Sequence, residues 1–98
     1  MNINVNKNAQ ETIIEIAGRL DTVTAPSLDK TINEVINESK KLVLDIKALE
    51  YISSAGLRVL LSAQKKIGKS GSMIVKNVCT EIMEIFEMTG FADILTIE

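Results

Sequence analysis

Two adjacent serines, Ser53 and Ser54, are the residues whose type and position in this sequence could support chemistry. They follow an apolar run at 42–46, which is typical of a strand buried on both faces. They precede residues 54–67, whose apolar spacing predicts a helix. The first turn of a helix has backbone N–H groups without partners, and a serine oxygen or an anion can accept from them. A hydroxyl at this position could therefore be a helix cap, a nucleophile or an acceptor for a phosphoryl group.

The composition argues against a nucleophilic serine. The 98 residues include no histidine and one cysteine, so a Ser-His-Asp triad, a Cys-His pair or one of the usual zinc sites cannot be assembled. The nearest downstream lysines, Lys65 and Lys66, would lie roughly 16 Å along the predicted helix, too far to act as a base. Gly56 stands alone, without the other residues of a phosphate-binding or dinucleotide-binding loop. We therefore expect no enzymatic activity, no catalytic residue, no bound metal and no cofactor.

A phosphate acceptor needs only an exposed hydroxyl on a stable fold, because a partner kinase would supply nucleotide, metal and base. A phosphate adds about −1.5 to −2 charges at neutral pH, and the helix dipole tolerates them at an N-terminus. Arg58 follows one turn later and could pair with the phosphate. We therefore expect the fold to survive phosphorylation. The dianion would instead disrupt docking over the surface that we expect Ile52, Ala55 and Leu57 to offer.

The elements that position the serines follow from hydrophobic periodicity. A strand-helix-strand order with connections of this length requires parallel strands and right-handed crossovers. The predicted elements are strands 3–5 and 12–16 in a hairpin, a helix with Thr24 as N-cap and Pro26 in its first turn, strand 42–46, helix 54–67, strand 72–76, helix 80–88 and a short last strand 94–97. The predicted fold class is α/β. A single small domain over residues 1–98 would have a mixed, mostly parallel sheet of 4–5 strands with 3–4 helices.

Charge and hydropathy limit the classes of partner. The net charge of −2 gives no general attraction to nucleic acid, and no apolar run approaches the ~18 residues of a membrane span. The single cysteine suits a reducing compartment, and the N-terminus lacks a signal-peptide pattern, so we expect a cytoplasmic protein. Basic residues concentrate on the second predicted helix, at Arg58, Lys65, Lys66 and Lys69. We interpret this cluster as a solvated face rather than a recognition surface.

Residues 51–57, which read Tyr-Ile-Ser-Ser-Ala-Gly-Leu after the strand at 42–46, resemble the signature of bacterial anti-sigma factor antagonists. These proteins are members of the STAS domain family. Residues 18–21 together with Ala25 match the family's other characteristic turn, and residues 86–91 resemble its closing segment. The resemblance covers the whole chain and implies a STAS-like fold.

The resemblance also implies a switch. In the family, the unphosphorylated antagonist binds an anti-sigma factor that is also a serine kinase, and so releases a sigma factor. The kinase phosphorylates a serine at the start of the second helix, and a metal-dependent serine phosphatase reverses the modification. The matching serine is Ser54. Many members have an aspartate immediately before it, and Ser53 at that position leaves a second hydroxyl, so Ser53 is the alternative acceptor. The implied partner-binding residues are Asp21, Thr22, Ile52, Ser53, Ser54, Ala55, Gly56, Leu57 and Arg58.

Individual residues leave alternatives open. Asp21 matches an aspartate beside the acceptor in the family, yet it could equally be a turn carboxylate that binds backbone N–H groups. Arg58 stands where the family frequently has glycine, which leaves the identity of the partner open. The chain could also be a constitutive STAS scaffold or sensor subunit in a pathway without a sigma factor, with Ser54 only a cap. A third alternative is a module that binds a small ligand or nucleotide.

Overall fold

A computed structural model describes residues 1–68 and 71–98 of the chain. Its strands are β1 Asn2–Lys7, β2 Thr12–Leu20, β3 Lys41–Ile52 and β4 Ser72–Lys76, and its α-helices are α1 Ala25–Val35, α2 Ser54–Ile67 and α3 Thr80–Thr89. Short 3₁₀ turns at Ile36–Glu38 and Phe91–Asp93 complete the order. The sheet has the strand order β1-β2-β3-β4, with β1 antiparallel to β2 and the remaining pairs parallel. The predicted α/β class with a mixed, mostly parallel sheet is confirmed.

The parallel strands β2 and β3 end at the same level, where Leu20 pairs with Ile52. Each of these strands is followed by a helix, so the start of α1 and the start of α2 lie at one end of the sheet, which we call the carboxyl end. The β2–β3 register shifts between Gly18 and Arg19, and Gly18 has φ +94°, a conformation that favours glycine. The strand irregularity precedes the turn at residues 21–24.

The core lies between one face of the sheet and the helices. Alternate residues of β2 and β3 point to that face, as the two-residue period of a strand requires. The predicted apolar stripe of α1 is buried against them, and α2 and α3 contribute their own buried residues. The core includes Ile14, Ile16 and Leu20 of β2, Leu42, Leu44 and Ile46 of β3, Leu28, Ile32 and Val35 of α1, Leu57 and Leu60 of α2, and Ile82 and Phe86 of α3.

Two predicted elements differ from the structure in extent. The strand predicted over 42–46 continues to Ile52, so β3 leads directly to the serines. The last strand predicted over 94–97 is reduced to one bridge between Val75 and Ile97. It is held by the hydrogen bonds Val75 N–Thr96 O (2.8 Å) and Glu98 N–Val75 O (2.9 Å). Within the described ranges, none of the helices is long and apolar enough to cross a membrane.

Candidate functional site

The two serines occupy different positions at the start of α2. Ser53 is the N-cap, with an extended backbone (φ −98°, ψ 176°), and its Oγ accepts from the N–H of Gly56 at 3.5 Å. Its carbonyl oxygen accepts from the N–H of Leu57 at 2.9 Å. Ser53 is half-buried, whereas Ser54 is the first helical residue and is exposed. The cap is therefore supplied by Ser53, and the hydroxyl of Ser54 is presented to solvent.

The first turn of α2 packs directly on the ends of the two central strands. The N–H of Ser53 donates to the carbonyl oxygen of Leu20 at 2.9 Å, which ties the helix start to the end of β2. Gly56 is buried, and a Cβ there would lie 2.7 Å from Leu20 Cγ and 2.9 Å from Ile52 Cγ1. Because such distances are too short for a real Cβ, only glycine allows this approach. The exposed serine therefore stands on a tightly packed support.

The turn at residues 21–24 is held by the carboxylate of Asp21. Its Oδ1 accepts from the backbone N–H groups of Val23 (3.0 Å) and Thr24 (3.1 Å), which confirms the role of Asp21 as a turn carboxylate. Thr24 is the N-cap of α1 in position, but the prediction that its side chain caps the helix is wrong. The Thr24 hydroxyl instead donates to the carbonyl oxygen of Arg19 and accepts from the N–H of Asp21, both at 2.8 Å. A contact between Asp21 and a partner stays a prediction.

These hydrogen bonds stabilise the ionised form of Asp21. The backbone N–H of Thr24 has the largest effect, and with the Thr24 hydroxyl and the N–H of Val23 it holds the pKa of the Asp21 carboxyl below its ordinary value. The guanidinium of Arg19 acts in the same direction, with Nε 3.9 Å from Asp21 Oδ2. Asp21 therefore carries its negative charge throughout the neutral range.

Some of the predicted partner-binding residues are not accessible. Ile52 and Leu57 are only 3% and 6% exposed and belong to the core, so the expectation that they offer a docking surface is wrong. Gly56 is buried as well. The predicted residues that remain accessible are Asp21, Thr22, Ser53, Ser54, Ala55 and Arg58. Their contacts with a partner stay predictions.

Arg58 lies one turn beyond the exposed serine. Its side chain is exposed, and Nε donates to the backbone carbonyl oxygen of Ser54 at 3.4 Å. This places the guanidinium beside the start of α2, where it could turn toward an anion on the Ser54 hydroxyl.

The carboxyl end also exposes apolar residues that the sequence interpretation did not include. Val23 is 84% exposed at the tip of the turn. Tyr51 is 38% exposed, and the guanidinium of Arg19 lies 4.3 Å from its ring centroid. One signal was present in the sequence, because Val23 is an apolar residue outside both the β2 alternation and the α1 stripe.

Other features of the chain lie apart from the serines. In the ranges 1–68 and 71–98, acidic and cysteine side chains do not gather into a group of metal-ligand size. A cavity of about 680 Å³ lies at the far ends of α1 and α2, lined by Asn33, Ile36, Asn37, Lys65 and Lys66. Lys66 Nζ donates to Asn33 Oδ1 at 2.8 Å, which ties part of the predicted basic face to α1. Lys69, the remaining member of that face, lies outside the described residues.

The whole site, from the turn after β2 to the start of α2, falls within a recognised domain type. A family model of the STAS domain matches residues 2–98, and the chain therefore belongs to the STAS domain family. The anti-sigma-B factor antagonist of Bacillus subtilis is 29% identical over 98 residues, covering 99% of this chain and 90% of that protein. The resemblance seen in residues 51–57 is confirmed by these matches.

Solved structures agree with the fold. The crystal structure of an anti-sigma factor antagonist from Mycobacterium paratuberculosis superposes with a TM-score of 0.90 at 26% identity, covering 98% of this chain and 83% of that one. The Bacillus protein SpoIIAA in its phosphorylated form superposes with a TM-score of 0.76 at 15% identity, covering 99% of this chain and 91% of that one. The second likeness is one of fold alone.

Proposed function

We propose that this protein is an anti-sigma factor antagonist whose binding is switched by phosphorylation of Ser54. The observation that carries the proposal is that the two serines differ in position: Ser53 caps α2, whereas Ser54 is exposed. Membership of the STAS family and the anti-sigma factor antagonists among the relatives support it. SpoIIAA, which shares the fold, has been solved in both an unphosphorylated and a phosphorylated form.

In the proposed cycle, the unphosphorylated chain binds an anti-sigma factor that is also a serine kinase, and this binding releases a sigma factor. The kinase transfers the γ-phosphoryl group of ATP to the Ser54 oxygen, the hydroxyl proton passes to the kinase's base, and ADP leaves. A metal-dependent phosphatase hydrolyses the phosphoserine and restores the hydroxyl. The chain itself contributes the acceptor and the docking surface.

The structure gives physical reasons why phosphorylation would change binding rather than folding. A phosphate at Ser54 would leave the Ser53 cap and the packing of Gly56 against Leu20 in place. The added charge of about −1.5 to −2 would lie at a helix N-terminus, where it is tolerated, and within reach of Arg58. A partner that closes over the same turn would have to desolvate that charge, and the complex would weaken.

Ser54 is favoured over Ser53 as the acceptor because of access. The Ser53 hydroxyl is half-buried and accepts from Gly56, whereas a kinase must bring a base and the γ-phosphate to the oxygen. The test is incubation of the purified chain with the cognate kinase and Mg-ATP, followed by tandem mass spectrometry. We expect phosphate on Ser54 in the wild type and in Ser53→Ala, and none in Ser54→Ala. Phosphate on neither serine would contradict the proposal, and phosphate on Ser53 would move the switch by one residue.

Binding provides the second half of the test. We expect Ser54→Ala to bind the unphosphorylated chain's partner with wild-type affinity, and Ser54→Asp to bind at least about tenfold more weakly in calorimetry, because the carboxylate brings charge into the contact. Equal affinities of the two variants would contradict the switch and favour a constitutive scaffold of the same fold.

A further inference from the structure

Ser54 and Arg58 lie four residues apart on α2, so their side chains share one face of the helix. Side chains at this spacing have Cβ atoms about 5–6 Å apart, and a negative group placed N-terminal to a positive one is the favourable order. Both residues are exposed, and Arg58 Nε donates to the backbone carbonyl oxygen of Ser54 at 3.4 Å. The guanidinium therefore already lies over the helix turn that carries the exposed hydroxyl.

The guanidinium of Arg58 has no acidic partner within residues 1–68 and 71–98. The ion pairs in those ranges are Lys7–Glu38, Arg19–Asp21 and Lys41–Glu11. The first turn of α2 carries no acidic residue either. Because the hydrogen bond to Ser54 uses Nε alone, the N–H groups of the two Nη atoms stay available for a second acceptor.

A phosphate on Ser54 would supply that acceptor. It carries about −1.5 to −2 charges and three acceptor oxygens, and the planar fork of an arginine matches two of them. An exposed pair of single charges adds little to stability. Here the acceptor is a dianion, the donor is a guanidinium, and the start of a helix adds its partial positive charge, so three effects act on the same group.

We propose that Arg58 binds the phosphate of phosphorylated Ser54 and slows its removal, so that the phosphorylated state outlasts the kinase reaction. The inference rests on the proposed function and specifies how the same site is regulated. In the reversal, water attacks the phosphorus, the P–Oγ bond breaks, Ser54 Oγ takes a proton and inorganic phosphate leaves. A metal-dependent phosphatase has to place its metal ions on the non-bridging oxygens. Because the guanidinium occupies two of these oxygens, it must leave first, and this adds to the barrier.

The experiment uses the full chain with phosphoserine inserted at position 54 during translation, so it does not require the cognate kinase. Arg58→Gln removes the charge and the fork, whereas Lys65→Gln removes an equal charge that lies roughly 16 Å along the helix from Ser54. Wild type and both variants are treated with a purified broad-specificity metal-dependent serine phosphatase, and the release of inorganic phosphate gives the rate. We expect release to be about fivefold faster from Arg58→Gln than from wild type, and within about 1.5-fold of wild type from Lys65→Gln.

Phosphorus NMR tests the contact itself. A guanidinium beside the phosphate favours the dianion, so the second pKa of the phosphoserine should be lower in wild type than in Arg58→Gln. Arg19 and Asp21, the charged side chains at and just beyond the end of β2, are present in every variant, so their effects cancel in the comparison. Thermal melting of the unphosphorylated variants should match wild type, because both substituted side chains are exposed.

The outcomes separate this inference from the proposed function. An equal phosphoserine pKa in wild type and Arg58→Gln overturns the contact, and equal rates of release overturn the slow removal. An equally faster release from Lys65→Gln overturns the assignment to Arg58. A wild-type chain that its kinase does not phosphorylate on Ser54 overturns the proposed function, and this result comes from the mass-spectrometric test rather than from the inserted phosphoserine.

Discussion

Two turns at the carboxyl end of the sheet lead from a parallel strand into a helix, and different side-chain groups hold them. The turn before α1 is held by the carboxylate of Asp21, which accepts two backbone N–H groups at 3.0 and 3.1 Å, while the helix itself has no side-chain cap. The turn before α2 is capped by the hydroxyl of Ser53, which accepts one at 3.5 Å. Hydrogen bonds to a carboxylate are shorter and stronger than those to a neutral hydroxyl. We therefore expect the first turn to be held more strongly, whereas the second has only neutral hydroxyl groups at its helix start.

The largest loss of stability is expected on substitution of Gly56, where α2 packs against the ends of β2 and β3. Gly56→Ala should lower the free energy of unfolding by about 2 kcal/mol, because its Cβ would overlap Leu20 and Ile52 and both are buried. Chemical denaturation measures the loss. The matched control is Gly68→Ala, at a helical position (φ −57°) with more room, which should be neutral or slightly stabilising. A stable Gly56→Ala protein would mean that the second turn is looser than its packing indicates.

The stability contributed by the side-chain hydrogen bonds of the two turns can be measured directly. Ser53→Ala should lower the free energy of unfolding by only about 0.5–1 kcal/mol, because it removes one long hydrogen bond. Asp21→Ala should cost more, since it removes the acceptor of two backbone N–H groups and leaves Thr24 without one of its partners. Denaturation of both variants under the same conditions provides the comparison. Equal losses would remove the distinction between the turns.

The smallest expected effect is a pH dependence of the folding stability that Asp21 contributes in the first turn. The pKa of Asp21 is lower in the folded chain, chiefly because of the Thr24 N–H, so the carboxylate stabilises the fold above its unfolded pKa. This stabilisation is lost as the pH falls through the folded pKa. The stability difference between wild type and Asp21→Asn should therefore shrink below about pH 4. The difference between wild type and Ser53→Ala should not change with pH, and a constant Asp21→Asn difference would contradict the assignment.

The regular elements could be predicted because their residues repeat over many positions. The predicted helix at 54–67 and strand at 72–76 match α2 and β4 in extent. Strand 94–97 was overpredicted, because four apolar-rich residues do not reveal that they pair with β4 through a single bridge at Val75.

Single residues in the turns were harder to predict, because their partners come from elsewhere in the fold. Leu57 belongs to the apolar stripe of α2, and this already implied burial, so it could not also be an exposed docking residue. Thr24 had suitable chemistry for a cap, but Arg19 and Asp21 occupy its hydroxyl. Val23 matched no periodic pattern, and the structure adds that its side chain is 84% exposed.

Because Ser53 caps α2 and Ser54 is exposed, mutations at the two positions should behave differently in genetic crosses. On the proposed function, a chain with alanine at position 54 keeps its cap, folds normally and accumulates to the usual level in the cell. Such an allele would sequester its target permanently and act in the presence of a normal copy. Genetic screens for a dominant, always-active response should therefore recover changes at residue 54, whereas changes at Gly56 should be recessive because they deplete the protein.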